Sequence, residues 1–308
     1  MIGKGKIVFA SGKIGRYGIY ILDPLSQRVE QLTSEGDCRN DAPQWSPDGR
    51  QIVFVSDRTG TPELWLMGED GRDEKRLTTE NRWHGAPSWS PDGQQLVCIA
   101  NYSGNLNIFL LNADGSNRRQ LTDYPQMDFS PRFSPDGRQI IFSSKKNGSP
   151  GIWLYDLGNG SVSLLSTVCG RDYAPVFSPD GKQIAFISGL LGERGEEFLE
   201  IHVMTADGKD ERTVVENLRI DRHVVWSPDG ETLLFVARPE ENAGDRLMTL
   251  DLPTGKIAEL LFPRKVLEDG IGSKPEGVWF FQFFPQKWLR RFYPTSFFGH
   301  DKSPSWKP

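Results

Sequence analysis

Three of the four histidines in the 308-residue sequence, His84, His223 and His300, stand in segments that also carry Asn40, Asp128, Asp172, Asp221 and Asp301. Imidazoles and carboxylates are the side chains that bind divalent cations and exchange protons near neutral pH. Their spacing is regular. Asn40, His84, Asp128, Asp172, Asp221 and Asp301 each lie five residues before an aromatic: Trp45, Trp89, Phe133, Phe177, Trp226 and Trp306. Two chemistries compete for that pattern. Gathered at one mouth, these residues form a polar, anionic ring suited to a cationic peptide or to a hard divalent cation with oxygen ligands. In that arrangement His84, His223 and His300 would serve a metal-dependent lyase or hydrolase. Left in its own loop, each Asp or Asn instead caps the chain through an Asx turn before the proline two or three residues on. The sequence has no GxSxG elbow, HExxH helix, P-loop or GxGxxG turn. A non-catalytic scaffold is therefore expected, with no cofactor beyond a divalent cation in the channel.

The elements that must position these residues come from a repeat. Ser-Pro-Asp-Gly recurs at Ser46, Ser90, Ser134, Ser178 and Ser227, at intervals of 44, 44, 44 and 49 residues, each copy directly after an aromatic. A period in the forties points to propeller blades or helical pairs. Frequent Pro/Gly turns with β-branched runs between them exclude helices. Each period reads as four strands. "APxWS" comes first, and its Ser-Pro-Asp-Gly reversal uses Pro to preset φ and Gly to take the left-handed conformation. Continuous apolar runs such as "QIVFVS" and "LWLM" follow, buried on both faces. A half-polar outer strand such as "KRLTT" closes the unit. Sheets wet only at their outer strand pack between like neighbours, so the fold class is all-β, a six-bladed β-propeller of four-stranded antiparallel blades.

Residues 6–33 supply the second to fourth strands of one blade ("KIVFAS", "GIYILD", "RVEQLTS") without a preceding "PxWSP". "SPSWKP" at residues 303–308 matches "APQWSP" at Pro304, Trp306 and Pro308. The sequence thus predicts one domain over residues 1–308, with its first blade closed by 303–308 and a non-repeating, aromatic-rich insertion at 262–302.

The repeat "PxWSPDGxxIxFxS…xIxxxxxDGxxxxxLT" resembles that of the TolB-type β-propeller family over residues 6–261 and 303–308. The resemblance is to the propeller alone, without the signal segment and α/β domain of TolB. It implies a non-catalytic scaffold that grips a protein or peptide partner at the mouth of its channel. It also implies an extracytoplasmic, periplasmic location if the N-terminus is incomplete; the chain as given carries no signal peptide or membrane-spanning run, which reads as cytoplasmic.

In such blades the 1–2 and 3–4 turns share one face, and their uniformity reads as architecture. The inter-blade crossings and 2–3 loops share the other, where variation marks binding. Asn40, His84, Asp128, Asp172, Asp221, Asp301, His223 and His300 are the partner-binding candidates there. They are joined by Trp279, Trp288, Arg290 and Arg291 of the aromatic segment, in which ten of the twenty residues 279–298 are Phe, Trp or Tyr. That segment could cap the basin, bind a partner or dip into a membrane surface. The cap is favoured, because so much bare aromatic surface is a solubility liability. Residues 262–308 carry +4 and the remainder −9, giving the net −5 that disfavours nucleic acid. A monomer is expected. Cys38, Cys98 and Cys169 form neither a CxxC pair nor a disulfide framework.

Overall fold

The computed structural model describes residues 5–13, 16–23, 26, 28–33, 38–146, 148, 151–166, 171–191, 197–216, 218–238, 246–259 and 278–285. Every regular element among them is a strand, and the strands form six four-stranded antiparallel sheets. The first blade holds β1 (Gly5–Lys13), β2 (Arg16–Asp23) and β3 (Arg28–Gln31). The second holds β4 (Asn40–Trp45), β5 (Gln51–Ser56), β6 (Glu63–Gly68) and β7 (Lys75–Arg76), and the third β8 (His84–Trp89), β9 (Gln95–Asn101), β10 (Leu106–Asn112) and β11 (Arg119–Gln120). The fourth holds β12 (Asp128–Phe133), β13 (Gln139–Ser144), β14 (Gly151–Asp156) and β15 (Val162–Leu164). The fifth holds β16 (Arg171–Phe177), β17 (Gln183–Leu191), β18 (Glu197–Thr205) and β19 (Arg212–Val215). The sixth holds β20 (Arg219–Trp226), β21 (Thr232–Arg238), β22 (Arg246–Asp251) and β23 (Lys256–Glu259), and β24 (Val278–Pro285) returns to the first.

Each Ser-Pro-Asp-Gly turn closes on itself. In the second blade the Ser46 hydroxyl donates to Asp48 Oδ1 (2.6 Å) and accepts from the Gln51 amide (3.0 Å), while Asp48 Oδ1 also accepts from the Arg50 amide (3.1 Å). The turns also join blades. Gly93 and Gly137 face Pro47 and Pro91 of the preceding blade. On the 3–4 turns, a Cβ at Gly71 or Gly208 would lie 2.8 or 2.6 Å from the Leu32 or Leu165 carbonyl oxygen. These glycines have φ of 79° and 80° and leave no room for a side chain. The turn face is spent on holding the ring together, as its uniformity implies.

The inner aromatics do the same at the core. Trp89 packs with Ile52 and Phe54 of the blade before it, and its indole N–H donates to the Gln44 carbonyl (3.4 Å). Trp226 donates likewise to Val176 O (3.2 Å). At the outer end of each repeat, the hydroxyls of Thr33, Thr78, Thr122 and Ser166 accept the third-strand amides of Ile19, Leu64, Ile108 and Ile152 at 2.8–3.0 Å. The ring closes where Ile7, Phe9, Tyr20 and Leu22 of the first blade share one core with Val225, Leu234 and Leu250 of the sixth.

Two features depart from the sequence reading. The inner strands are not plain extended chain. Ala42, Ala86, Ser130 and Ala174, each before a proline, have φ of 46–50°, and at each of these points two residues oppose one on the neighbouring strand. These are β-bulges, and they place the first residue of the strand a step away from its regular alternation. The second departure is the closing strand. The inner place of the first blade is taken by β24, antiparallel to β1 with Ile7 opposite Phe283 and Gly5 opposite Pro285. Residues 303–308, to which the sequence reading assigns that place, lie outside the described residues. β24 fits because Phe283 stands opposite Ile7 as Trp45 stands opposite Ile52 in the second blade, in a run of strongly strand-forming aromatics. Part of the segment expected as a non-repeating cap, Trp279 included, is therefore blade. Chain direction also places Val278 at the crossing face and Pro285 at the turn face.

Candidate functional site

The crossing face is built from the starts of the inner strands, the 2–3 loops and the connections between blades. Asn40, His84, Asp128 and Asp172 occupy equivalent places, the first or second residue of β4, β8, β12 and β16, opposite Ser56, Ala100, Ser144 and Ser188. All four are buried, at 0–1% exposure. Asn40, His84 and Asp172 are spoken for one at a time, largely from within their own blade.

Asn40 Oδ1 accepts from Arg58 Nη2 (3.0 Å), whose guanidinium lies over the Trp65 ring at 4.6 Å and is paired with Glu74. His84 has both ring nitrogens engaged, Nδ1 with the Arg82 carbonyl (2.7 Å) and Nε2 with the Tyr102 hydroxyl (3.0 Å). A carbonyl only accepts, so Nδ1 carries the proton and Nε2 accepts from Tyr102. Burial holds the His84 pKa below its ordinary value, in keeping with a neutral ring. Burial, with Glu80 alongside, pushes the Tyr102 phenol up to about 12, and Arg118 Nη1 donates to its oxygen (2.7 Å). Asp172 Oδ2 accepts from Ser166 (2.5 Å) and Oδ1 from Ser188 (2.8 Å), so one carboxylate ties the end of the fourth blade to the fifth. Burial raises its pKa, with the Glu211 charge adding to the rise and the two hydroxyls opposing it.

Asp128 differs from its counterpart. Neither of its oxygens has a hydrogen-bond partner. Burial pushes its carboxyl up to about 6, while the nearby Ser144 and Thr122 hydroxyls and the Lys146 charge soften the rise without reaching hydrogen-bonding geometry. Lys146 stands over the Tyr124 and Trp153 rings at 4.1 and 5.1 Å. Arg58, Tyr102 and Lys146 are the same repeat position, two residues beyond the one facing Asn40, His84 or Asp128. These three blades place a different residue there, and in the fourth blade it reaches Asp128 only through its charge.

Among the described residues no group of three or more His, Cys, Asp or Glu is arranged to hold a metal ion. The side chains of Asp221, His223 and Trp279 lie outside the described residues, although their backbones are in β20 and β24. Trp288, Arg290, Arg291, His300 and Asp301 lie outside them altogether. The crossing-face connections expose Arg82, Lys145 and Met127, the last 46% exposed beside the half-buried Phe129, together with Glu80, Asn81 and Asp123. The β17–β18 hairpin stays paired as far as Leu191 and Glu197, beyond the Ser56–Glu63 and Ser144–Gly151 pairs that end the equivalent hairpins.

A family described as the TolB beta propeller domain matches residues 80–195. TolB from Acinetobacter baumannii superposes with a TM-score of 0.72 at 25% identity, over 82% of this chain and 62% of that one. Residues 80–195 thus match the TolB-type β-propeller family, and the fold as a whole is TolB-like. A putative TolB from Agrobacterium tumefaciens has a TM-score of 0.64 at 21% identity, over 83% of this chain and 88% of that one. An uncharacterised protein of Agrobacterium fabrum is 42% identical over 62 residues, 20% of this chain and 21% of that protein. The chain thus spans about a fifth of the length of that curated relative. An oligogalacturonate lyase in complex with manganese (14% identity, TM-score 0.54) and a chain of the nidogen/laminin complex (11%, 0.65) share the fold.

One group in this TolB-like propeller escaped the sequence reading. His202, the fourth histidine, packs on Phe186, and its Nδ1 meets Glu211 (2.9 Å) and its Nε2 meets Glu200 (3.0 Å). The signal was Glu-x-His on a third strand. Glu63 has the equivalent place in the second blade, where it is buried and paired with Arg76. No helix among the described residues is long and apolar enough to cross a membrane.

Proposed function

We propose that this propeller is a non-catalytic binding scaffold that engages a protein or peptide partner on its crossing face. The observation that carries this reading is the division of labour between faces. The turns pack glycine against the preceding blade, whereas the crossing face presents unlike residues on a rigid frame, with Met127, Arg82 and Lys145 exposed. Exposed Met and Arg flanked by aromatics suit a protein contact. The likeness to TolB supports the same class. Asn40, His84, Asp128 and Asp172 act behind that surface, shaping the strand ends that present it.

Met127→Asp combined with Lys145→Glu should abolish capture of the partner that the wild-type protein retains, with melting temperature unchanged. Arg138→Glu, on the turn face, should leave capture intact. Equal retention by all three proteins would refute the assignment of the face. A metal-dependent lyase remains the alternative from another class. It would require His84 to release Tyr102 or Arg82, and metal content of the purified protein tests it.

A further inference from the structure

We propose that the fourth blade carries a receptor for an arginine side chain of the partner, formed by Asp128 with the Tyr124 and Trp153 rings and half filled by Lys146 of the same chain. The inference rests on the reading of the crossing face as the surface that meets a protein or peptide. The repeat itself shows what the place takes. In the second blade a guanidinium fills it from within: Arg58 Nη2 donates to Asn40 Oδ1 (3.0 Å) and Nε to Ser56 Oγ (2.9 Å), while the group lies over the Trp65 ring at 4.6 Å and pairs with Glu74.

Asp128, Ser144, Lys146 and Trp153 hold the repeat positions of Asn40, Ser56, Arg58 and Trp65. The local frame is kept. The Lys146 amide donates to Ser144 Oγ (3.2 Å) as the Arg58 amide does to Ser56 Oγ (3.4 Å), and the Trp153 indole N–H donates to the Ser144 carbonyl (3.3 Å). From the third blade, the Asn105 side-chain amide donates to the Tyr124 carbonyl (2.9 Å). The charges differ. Val162 stands in the register place of Glu74, and the acid of the fourth blade is instead Asp128, inside, at 0% exposure. Lys146 rests its ammonium over the Tyr124 and Trp153 rings at 4.1 and 5.1 Å and leaves both Asp128 oxygens without a hydrogen bond. A planar guanidinium can lie on an aromatic face and still direct two N–H groups at one carboxylate, which the ammonium here does not do. Access is from the crossing face, where Tyr124 and Lys146 are half-buried and Met127 and Lys145 beside them are exposed. Rotation of the flexible Lys146 stem would open the place, so the partner's arginine exchanges one cation over the rings for another that also reaches Asp128.

The probe is Nα-acetyl-arginine N-methylamide, titrated into the full chain at pH 7.5 and followed through the indole N–H resonance of Trp153, assigned with Trp153→Phe. That resonance should shift saturably, in the millimolar range expected of one side chain. The citrulline and lysine amides of the same build should bind at least about tenfold more weakly, the first lacking the charge and the second the fork. Asp128→Asn should weaken the arginine amide at least about tenfold. Lys146→Met should act in the opposite direction and strengthen it about threefold, because the resident cation is gone. Equal binding of the arginine and citrulline amides, equal binding of the lysine amide, an affinity unmoved by Asp128→Asn, or a weaker one in Lys146→Met would overturn the receptor. The assignment of the face fails separately. Capture lost in the Met127→Asp, Lys145→Glu protein while the arginine amide fails to bind the wild type rejects the receptor alone, and probe binding with capture intact in that variant rejects the face alone.

Discussion

Asp128→Asn should make the protein more stable at neutral pH, although it removes a charged residue from a repeated position. The buried carboxyl has a pKa of about 6, against about 3.9 for an unperturbed aspartate. Folding therefore takes up a proton between those values, and stability falls as pH rises from about 4 to about 6. Above about 6 the full cost of a buried, unpartnered carboxylate is present. Two pH units correspond to about 3 kcal/mol, and about 2–3 kcal/mol is a reasonable expectation for a side chain at 0% exposure. In a chain of this size that is roughly 3–5 °C in melting temperature. Asparagine has nearly the same shape and no charge to desolvate. The assay is thermal unfolding of both proteins at pH 7.5, 5.5 and 4.0. The variant should melt higher at 7.5, with the gap narrowing steadily towards pH 4. A variant less stable at pH 7.5, or a gap independent of pH, would refute the account of Asp128 as an unpaired buried acid.

Asp172 should behave in the opposite way, because both of its oxygens are used: Ser188→Ala should cost about 1–3 kcal/mol in chemical denaturation. Gly208→Ala should destabilise by at least about 2 kcal/mol, since its Cβ would collide with the Leu165 carbonyl, whereas Gly60→Ala, at φ 91° with open space around it, should cost only about 1 kcal/mol. Trp226→Phe should lose about 1 kcal/mol with the indole hydrogen bond to Val176, read as a shift in urea midpoint at constant slope.

The blades were legible in the sequence because what makes them is local or periodic. A Ser-Pro-Asp-Gly turn is held by bonds spanning at most five residues, and its 44-residue recurrence counts the blades. The apolar second and third strands identify themselves by composition. The role of the polar residues was not legible. Asn40 is met by Arg58 and His84 by Tyr102, each 18 residues away and just past the end of the neighbouring strand, so the same aligned column holds a neutral histidine, an amide clamped by arginine and a bare carboxyl. Spacing placed these residues together at the strand starts, but burial, which depends on neighbouring strands and blades, decided that they sit behind the surface. His202 was hidden for the same reason: one of its two glutamates comes from the connection before β19. The first blade marks the limit most clearly. Two segments carry an aromatic and a proline at the required spacing, and only pairing with β1, made across almost the whole sequence, selects β24 for the place in this structure.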